Sequence, residues 1–566
     1  MKFLRAVSTA LLLTACSAPE AELETIKIYS TASVITVDSS NPTAEAVAVL
    51  EGKIIGVGKT VDLEKQFPHA ARDDQYQTSI LVPGLIDPHV HMTLGSMMYG
   101  LDWIPPWDMQ HPDGPVEGIP TKTELLQKIA GFNSSKIDGN PLILYGYHNL
   151  VQGDMDKSDL DTISETRPII IWHYSGHDFY MNSAALDLFA ISPEMHDTYE
   201  GVALDESGEL TGRIFEDAVA PLLPKLAPYL LNPAHIEKGF NGFEKLLAEG
   251  GVTTVAEMGY GLFGREFENT VLATHHDKTD SYALYLVPEH RAFAREFGDD
   301  SAAKIAELSA DNPQVLPQVK LFTDAAFYSQ TMKLAAPGYL SGQSKGTDGL
   351  WVTEPEDLPA LMSTYWDKGL DIHIHSNGDE AQNSTLSAFS KQNAGKDGQR
   401  LIIEHAGLIT PTQMQKAAAL GIGISAASHY VNFMGEDYKP VIAEKADFIT
   451  PQASAFKAGL HVTVHSDAPL APPMPLLAAG RHMTRATREG GVSTPSERLN
   501  AEQALRAVTI EAAWSLGLEK EIGSITVGKR ANFTILGANP MDLPGESWGA
   551  IPIEGVMLDG EKHNTP

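Results

Sequence analysis

Eight short apolar runs, each parted from the next by a longer amphipathic stretch, set the narrowest limit on what this chain can fold into. They are residues 81–86, 253–257, 283–287, 318–323, 370–375, 401–405, 422–426 and 461–465. Strand-like runs that alternate with helical periodicity belong to βα units around a parallel sheet, and eight such units close into a barrel. The spacing is uneven. Between the first run and the second lies a large insertion, about residues 95–249, with Trp103, Trp107 and further strand-like runs at 142–145 and 169–172.

The two ends have another texture. Runs at 26–29, 33–37, 46–50 and 53–57 are rich in β-branched residues and broken by turn sequences, and runs at 525–527, 532–536 and 555–558 repeat the pattern. The expected fold is therefore α/β: a distorted (β/α)8 TIM barrel over 81–515, with a small β-sandwich built from residues 25–80 and 516–566.

Before this, Lys2 and Arg5 precede an apolar stretch, 6–13, that is too short to stay in a bilayer as a helix. Residues 1–16 read as a signal peptide. Leu13-Thr14-Ala15-Cys16 matches a bacterial lipobox, so Cys16 is the expected lipidation site, residues 17–24 a tether, and Ser17 a pointer to the outer membrane. The alternative is an ordinary secretory signal. The lipid reading makes the protein exported and attached to the cell envelope, touching membrane through its anchor only. Cys16 is the only cysteine, so no intramolecular disulfide forms. Lys and Arg total 41 against 73 Asp and Glu, a formal net charge of −32 with no basic stripe, which argues against nucleic acid and anionic lipid surfaces as partners.

The chemistry gathers at strand ends. In Leu85-Ile86-Asp87-Pro88-His89-Val90-His91, two histidines at i and i+2 leave an apolar strand on the same face, so both imidazoles can reach one ion. His373 and His375 end another run, Glu404 and His405 a third, and His465 precedes Ser466-Asp467 at a fourth. Neutral imidazoles and a carboxylate delivered to one rim suit zinc and related ions.

This constellation resembles the amidohydrolase superfamily, and within it the exported amidohydrolase-3 branch similar to N-substituted formamide deformylase. The resemblance runs from residues 48–58 through Pro83 to His91, Gly176-His177 with Asn182-Ser183, His375 to Asp379, Glu404-His405 and Ser466-Asp467-Ala468-Pro469, to residues 522–531. It implies that His89 and His91 hold one divalent ion and His375 and His405 a second. Lys320, carboxylated by carbon dioxide, would bridge the two, and Asp467 would contact metal and water and move the proton. His375 is preferred to His373 for the Gly378-Asp379 that follows it. One or two ions are implied, with zinc favoured. The implied reaction is hydrolysis of a non-peptide C–N bond (amide, N-acyl or N-formyl) in a small molecule by activated water. Alternatives are hydrolysis of a cyclic amide, amidine or lactone, and a catalytically silent surface binding or regulatory protein.

Three positions depart from the pattern: Ala325 after Asp324, His465 before Ser466, and Asn532 after Ala531. His177, Glu216, Trp103 and Trp107 are candidate substrate contacts, and the apolar Met97, Met98 and Tyr99 suggest an apolar or aromatic substituent. Glu257 is a candidate for orienting a ligand histidine.

Overall fold

The structure, a computed structural model, describes residues 26–563 except 137–138, 276–280 and 394. The signal peptide, Cys16 and the tether lie outside the described residues. Eight parallel strands surround the barrel axis: β1 (Leu85–Val90), β2 (Val252–Tyr260), β3 (Ala283–Pro288), β4 (Gln318–Phe322), β5 (Asp371–Ser376), β6 (Leu401–His405), β7 (Gly423–Ala427) and β8 (Val462–His465). They pair in order as β1-β2-β3 and β4-β5-β6-β7-β8. Isolated parallel bridges close the seams, Leu286 to Val315 and Glu289 to Lys320 on one side and Val90 to Ala468 on the other. Strands covered on both faces explain why the runs read as nearly continuous apolar segments.

The run expected as the first barrel strand, 81–86, is two strands. Ile80–Pro83 pairs with Lys27–Ile35 and Phe533–Leu536 in the sheet made by the chain ends, and β1 starts only at Leu85. The break falls at Gly84. A Cβ there would lie 2.1 Å from Thr253 Oγ1, so only glycine lets the chain cross from sheet to barrel against β2.

Both ends join one eight-stranded sheet, ordered Glu561–His563, Ile553–Leu558, Phe533–Leu536, Ile80–Pro83, Lys27–Ile35, Thr43–Leu50 and Lys53–Gly58, with Ala71–Asp73 beside Lys27–Ile35. Where a sandwich built from both chain ends was expected, the two ends form a single hydrogen-bonded sheet, whose Tyr29, Val47, Leu81, Phe533, Ile535 and Met557 share one apolar cluster. Runs 26–29 and 33–37 merge into one strand with a register shift between Ser30 and Val34. Residues 525–527 form no strand: Ile525 instead donates its N–H to Thr36 O at 2.8 Å and buries its side chain in the same cluster.

The insertion between β1 and β2 has its own six-stranded sheet, ordered Val202–Leu204, Leu210–Phe215, Asp178–Met181, Ile169–His173, Leu142–Tyr147 and Asp102–Trp103. Its first helix, Met92–Tyr99, crosses its last, Pro233–Glu249, so closely that a Cβ on Gly239 would sit 1.8 Å from Ser96 O. Among the described residues, no helix is long and apolar enough to cross a membrane.

Candidate metal centre

Several strand ends bring one or two polar side chains to the same rim, and Glu404 organises them. Its Oε2 lies 2.6 Å from His89 Nδ1 and its Oε1 2.6 Å from His373 Nδ1, all three residues being buried. Burial opposes its charge, but His89 and His373 hold the carboxyl well below the usual range. With Nδ1–H of His89 donated to this carboxylate, the ring turns the lone pair of Nε2 towards Lys320 Nζ at 3.5 Å and Asp467 Oδ1 at 3.5 Å. His373 has both nitrogens engaged, Nε2 facing Ser515 O at 3.1 Å, and offers the centre nothing further.

Asp467 draws the cluster together. Its Oδ1 is also 3.3 Å from His91 Nε2, and its Oδ2 is 3.8 Å from His405 Nδ1. Although buried, it is held well below the carboxylate range by His89, His91 and His405. The backbone is bent to aim these groups: His405, Ala406 and Asp467 have φ of 69°, 46° and 55°. Non-glycine residues in the left-handed region cost energy, and such strain concentrates at working sites.

Glu257, at the end of β2, accepts from the backbone N–H of Met92 at 2.6 Å and lies 3.3 Å from His91 Nδ1. It fixes both the ring and the start of the helix behind it, as the sequence suggested. Burial would lower His91, yet its hydrogen bonds to Asp467 and Glu257 push it up to about 9. The other imidazoles go the opposite way. Burial pushes His375 down to about 3 and His465 to about 4, and holds His89 and His405 well below their ordinary value.

Two sets of ligand atoms lie within 4.8 Å of one another, His89 with His91 and Asp467, and His89 with His405 and His465. His465 Nε2 is 3.2 Å from His405 Nδ1, and its Nδ1 is held by Ser425 Oγ at 2.7 Å. The ring of His375 lies 4.6 Å from that of His405, while its Nε2 faces Ala325 O at 3.0 Å and Asn377 Nδ2 at 2.9 Å. Lys320 is buried, and burial pushes its amine down to about 8. Neutral imidazoles at His89, His375, His405 and His465 and an ionised carboxylate are the ligand forms a zinc-type ion takes, and His91 joins them once it gives up its proton, so the donor set fits such an ion.

The sequence of the amidohydrolase family matches residues 79–562. The chain belongs to the amidohydrolase family. This amidohydrolase is similar to N-substituted formamide deformylase of Arthrobacter pascens, 26% identical over 94% of this chain and 96% of that one. It is also similar to Protein LONG AFTER FAR-RED 3 of Arabidopsis thaliana, 26% identical over 93% of this chain and 89% of that one. A solved structure described as an uncharacterized metal-dependent hydrolase from Pyrococcus horikoshii shares its fold, with a TM-score of 0.68 at 19% identity over 92% of this chain and 99% of that one.

Around the centre, the amidohydrolase places the other candidates unequally. His177 Nδ1 is 3.0 Å from Glu216 Oε2, and Glu216 Oε1 accepts from Thr331 Oγ1 at 2.7 Å, with Glu216 at φ 45°. This pair brings the insertion towards β4 and the residues after it. Trp103 stacks on Tyr99 at 5.3 Å and donates Nε1–H to Met98 O at 2.8 Å, inside the insertion's own core. Trp107 stacks on Phe433 at 4.6 Å, in a group of rings beside the centre. Two residues gained importance that spacing did not convey. Glu404 appeared only as half of a motif, and His465 as a strand-end histidine and a departure from the family pattern, with no place in the implied ligand set.

Proposed function

We propose that this chain is a metal-dependent hydrolase of non-peptide C–N bonds, acting on small N-acyl or N-formyl compounds. The observation that carries the reading is Asp467: an ionised, buried carboxylate whose two oxygens face imidazoles from three positions, His89, His91 and His405. The similarity to N-substituted formamide deformylase supports the choice of bond.

His89, His91, His375, His405 and Asp467 would hold the metal, with Lys320 between them. His465 is placed to join or replace one of these imidazoles. Zinc suits the donors. When bound, such an ion acts as a Lewis acid that lowers the pKa of water and polarises a carbonyl. Asp467 would take the proton from the attacking water and return it to the departing nitrogen. Glu404 keeps His89 in the tautomer whose Nε2 faces inwards, and Glu257 does the corresponding work for His91. Lys320, pushed down to about 8 by burial, would supply through its neutral form an amine that adds carbon dioxide and releases a proton, giving a carbamate whose oxygens could serve as anionic ligands. His177 and Glu216 close the substrate side. The protein would act in the cell envelope, anchored through Cys16, and lipid labelling lost in Cys16→Ala tests that placement.

The deciding experiment counts metal per chain by elemental analysis in the protein lacking residues 1–16 and in its Lys320→Ala and Asp467→Ala variants. The expected result is about two ions in the parent protein, fewer in the lysine variant and little change in the aspartate variant, with turnover of N-formyl and N-acyl amines in the parent alone. A protein that takes up no metal when grown with added zinc would overturn the reading.

A further inference from the structure

Helix Pro475–Thr484, which follows β8, brings two arginines to the barrel rim, and their surroundings differ. Arg485, at its C-terminal cap, is buried and matched, giving Nε–H to Ser493 O at 2.8 Å and its terminal N–H groups to Thr450 O and Ile449 O at 2.9 Å each. Arg488 gives Nε–H to Phe433 O at 2.9 Å and is paired with Asp437 and Glu489. Arg481, one turn before Arg485, is half-buried. Among the described residues its guanidinium meets no carboxylate and no hydrogen-bond acceptor, and its partner is the ring of Phe433, 4.8 Å away.

Phe433 belongs to a group of rings with the same deficit. Trp107 stacks on it at 4.6 Å, His429 and Tyr174 lie 6.1 and 6.2 Å away, and Tyr328 is stacked on His429 at 5.5 Å. Trp107 Nε1, Tyr328 Oη and both nitrogens of His429 are buried without a hydrogen-bond partner. Buried donors are costly unless something accepts from them. Here one unmatched cation shares a place with the neutral donors of Trp107, Tyr328 and His429, and only the Tyr174 hydroxyl beside Trp107 offers one of them an acceptor. The place adjoins the metal centre: Tyr430 lies 6.3 Å from the ring of His405, and the Tyr174 hydroxyl donates to Leu470 O, just beyond Asp467.

Resting on the reading above, we propose that Arg481, with Trp107, Tyr328 and His429, binds a carboxylate of the substrate, so that the substrate class is an N-acyl or N-formyl compound with an apolar or aromatic body and a free carboxylate, such as an N-acyl amino acid. A guanidinium supplies the paired donors that a carboxylate matches in its own plane. The single unmatched charge fits a carboxylate better than a phosphate, which carries nearly two. The rings account for the apolar body, and the proximity of Asp467 for the position of the bond to be cut.

The test uses the metal-loaded protein and its Arg481→Met and Arg481→Lys variants, each checked for metal content and melting temperature. The first readout is the ratio of kcat/KM for N-formylphenylalanine to that for its neutral amide, N-formylphenylalaninamide. It should favour the acid in the parent protein and fall about 100-fold in Arg481→Met, with a smaller fall in Arg481→Lys, which keeps the charge but not the fork. A ratio that favours the neutral amide in the parent, or one unchanged in Arg481→Met, would overturn the inference. The second readout needs no turnover. Calorimetric binding of hydrocinnamate should weaken about 100-fold in Arg481→Met, and this would support carboxylate recognition even if no C–N bond is hydrolysed. Equal binding by parent and variant overturns it, as does tighter binding of phenyl phosphate than of hydrocinnamate. If Arg481→Met does not fold, Arg481→Lys carries both comparisons, with about a 10-fold loss expected.

Discussion

At Glu404 one carboxylate holds His89 and His373 at 2.6 Å each, and only the first of these rings has a nitrogen left for the centre. Removing its negative charge while keeping its shape isolates the orienting role. Glu404→Gln should lower zinc affinity about 10- to 100-fold, read by competition with a chromogenic chelator. Unchanged affinity would show that His89 needs no fixed tautomer. Asp467→Asn removes the proton carrier, and kcat should fall at least about 1,000-fold while bound metal stays near the parent level. His91 predicts a pH dependence. Held near 9 in the metal-free protein, it keeps its proton through neutral pH, so an ion must displace that proton. Zinc affinity should therefore rise as pH climbs from 7 towards 9, with close to one proton released per His91 engaged, measured by calorimetry in buffers of different ionisation enthalpy. At this scale the sequence showed His89, His91, His405 and Asp467, because strand-end position and period alone bring them to one rim. It could not decide between Glu404 as ligand and as orienter, nor show His465 against His405, because those roles depend on rotamers and on neighbours from other strands.

Among the elements, the insertion sheet is tied to the barrel side through Ser329, which meets a buried pair inside that sheet. Arg213 Nη2 lies 2.6 Å from Asp178 Oδ2, and Ser329, after β4, donates Oγ–H to Asp178 Oδ1 at 2.5 Å. Arg213→Met would leave Asp178 buried with its charge unmatched, and it should lower stability by about 3–5 kcal/mol in urea denaturation. Because His177 and Glu216 flank these strands, turnover should fall with it; the double variant Asp178→Asn/Arg213→Met should recover part of the stability, since no unpaired charge is left. The eight barrel runs were legible because buried parallel strands are written as apolar segments between helical periods. Where the first began was not: residues 81–86 read as one run, and only the approach of Thr253 to Gly84 shows that the chain changes sheets there. The strand expected at 525–527 failed for a related reason, since only Ile525 is buried, held by its backbone bond to Thr36 and not by strand pairing, while Val527 is exposed.

For the molecule as a whole, the sheet made by both ends also supports the barrel. Phe533–Leu536 pairs with Ile80–Pro83, which Gly84 alone separates from the first barrel strand, so the last part of the chain braces the first part of the barrel. Trp548 is buried against helix Pro475–Thr484, where a Cβ on Gly480 would meet Gly545 O at 2.4 Å, which fixes the helix that carries Arg481. Deleting residues 533–563 would expose a strand edge and lose the burial of Phe533, Ile535, Trp548 and Met557. Each such side chain is worth about 1.5–3 kcal/mol. Their sum rivals the whole stability of an ordinary domain, about 5–15 kcal/mol. The shortened chain should therefore go to the insoluble fraction and bind no metal when refolded, as read by centrifugation and elemental analysis. A soluble, metal-loaded product would instead mean that the barrel stands without its closing sheet, and that the contacts of Trp548 are not what holds Arg481 at the rim.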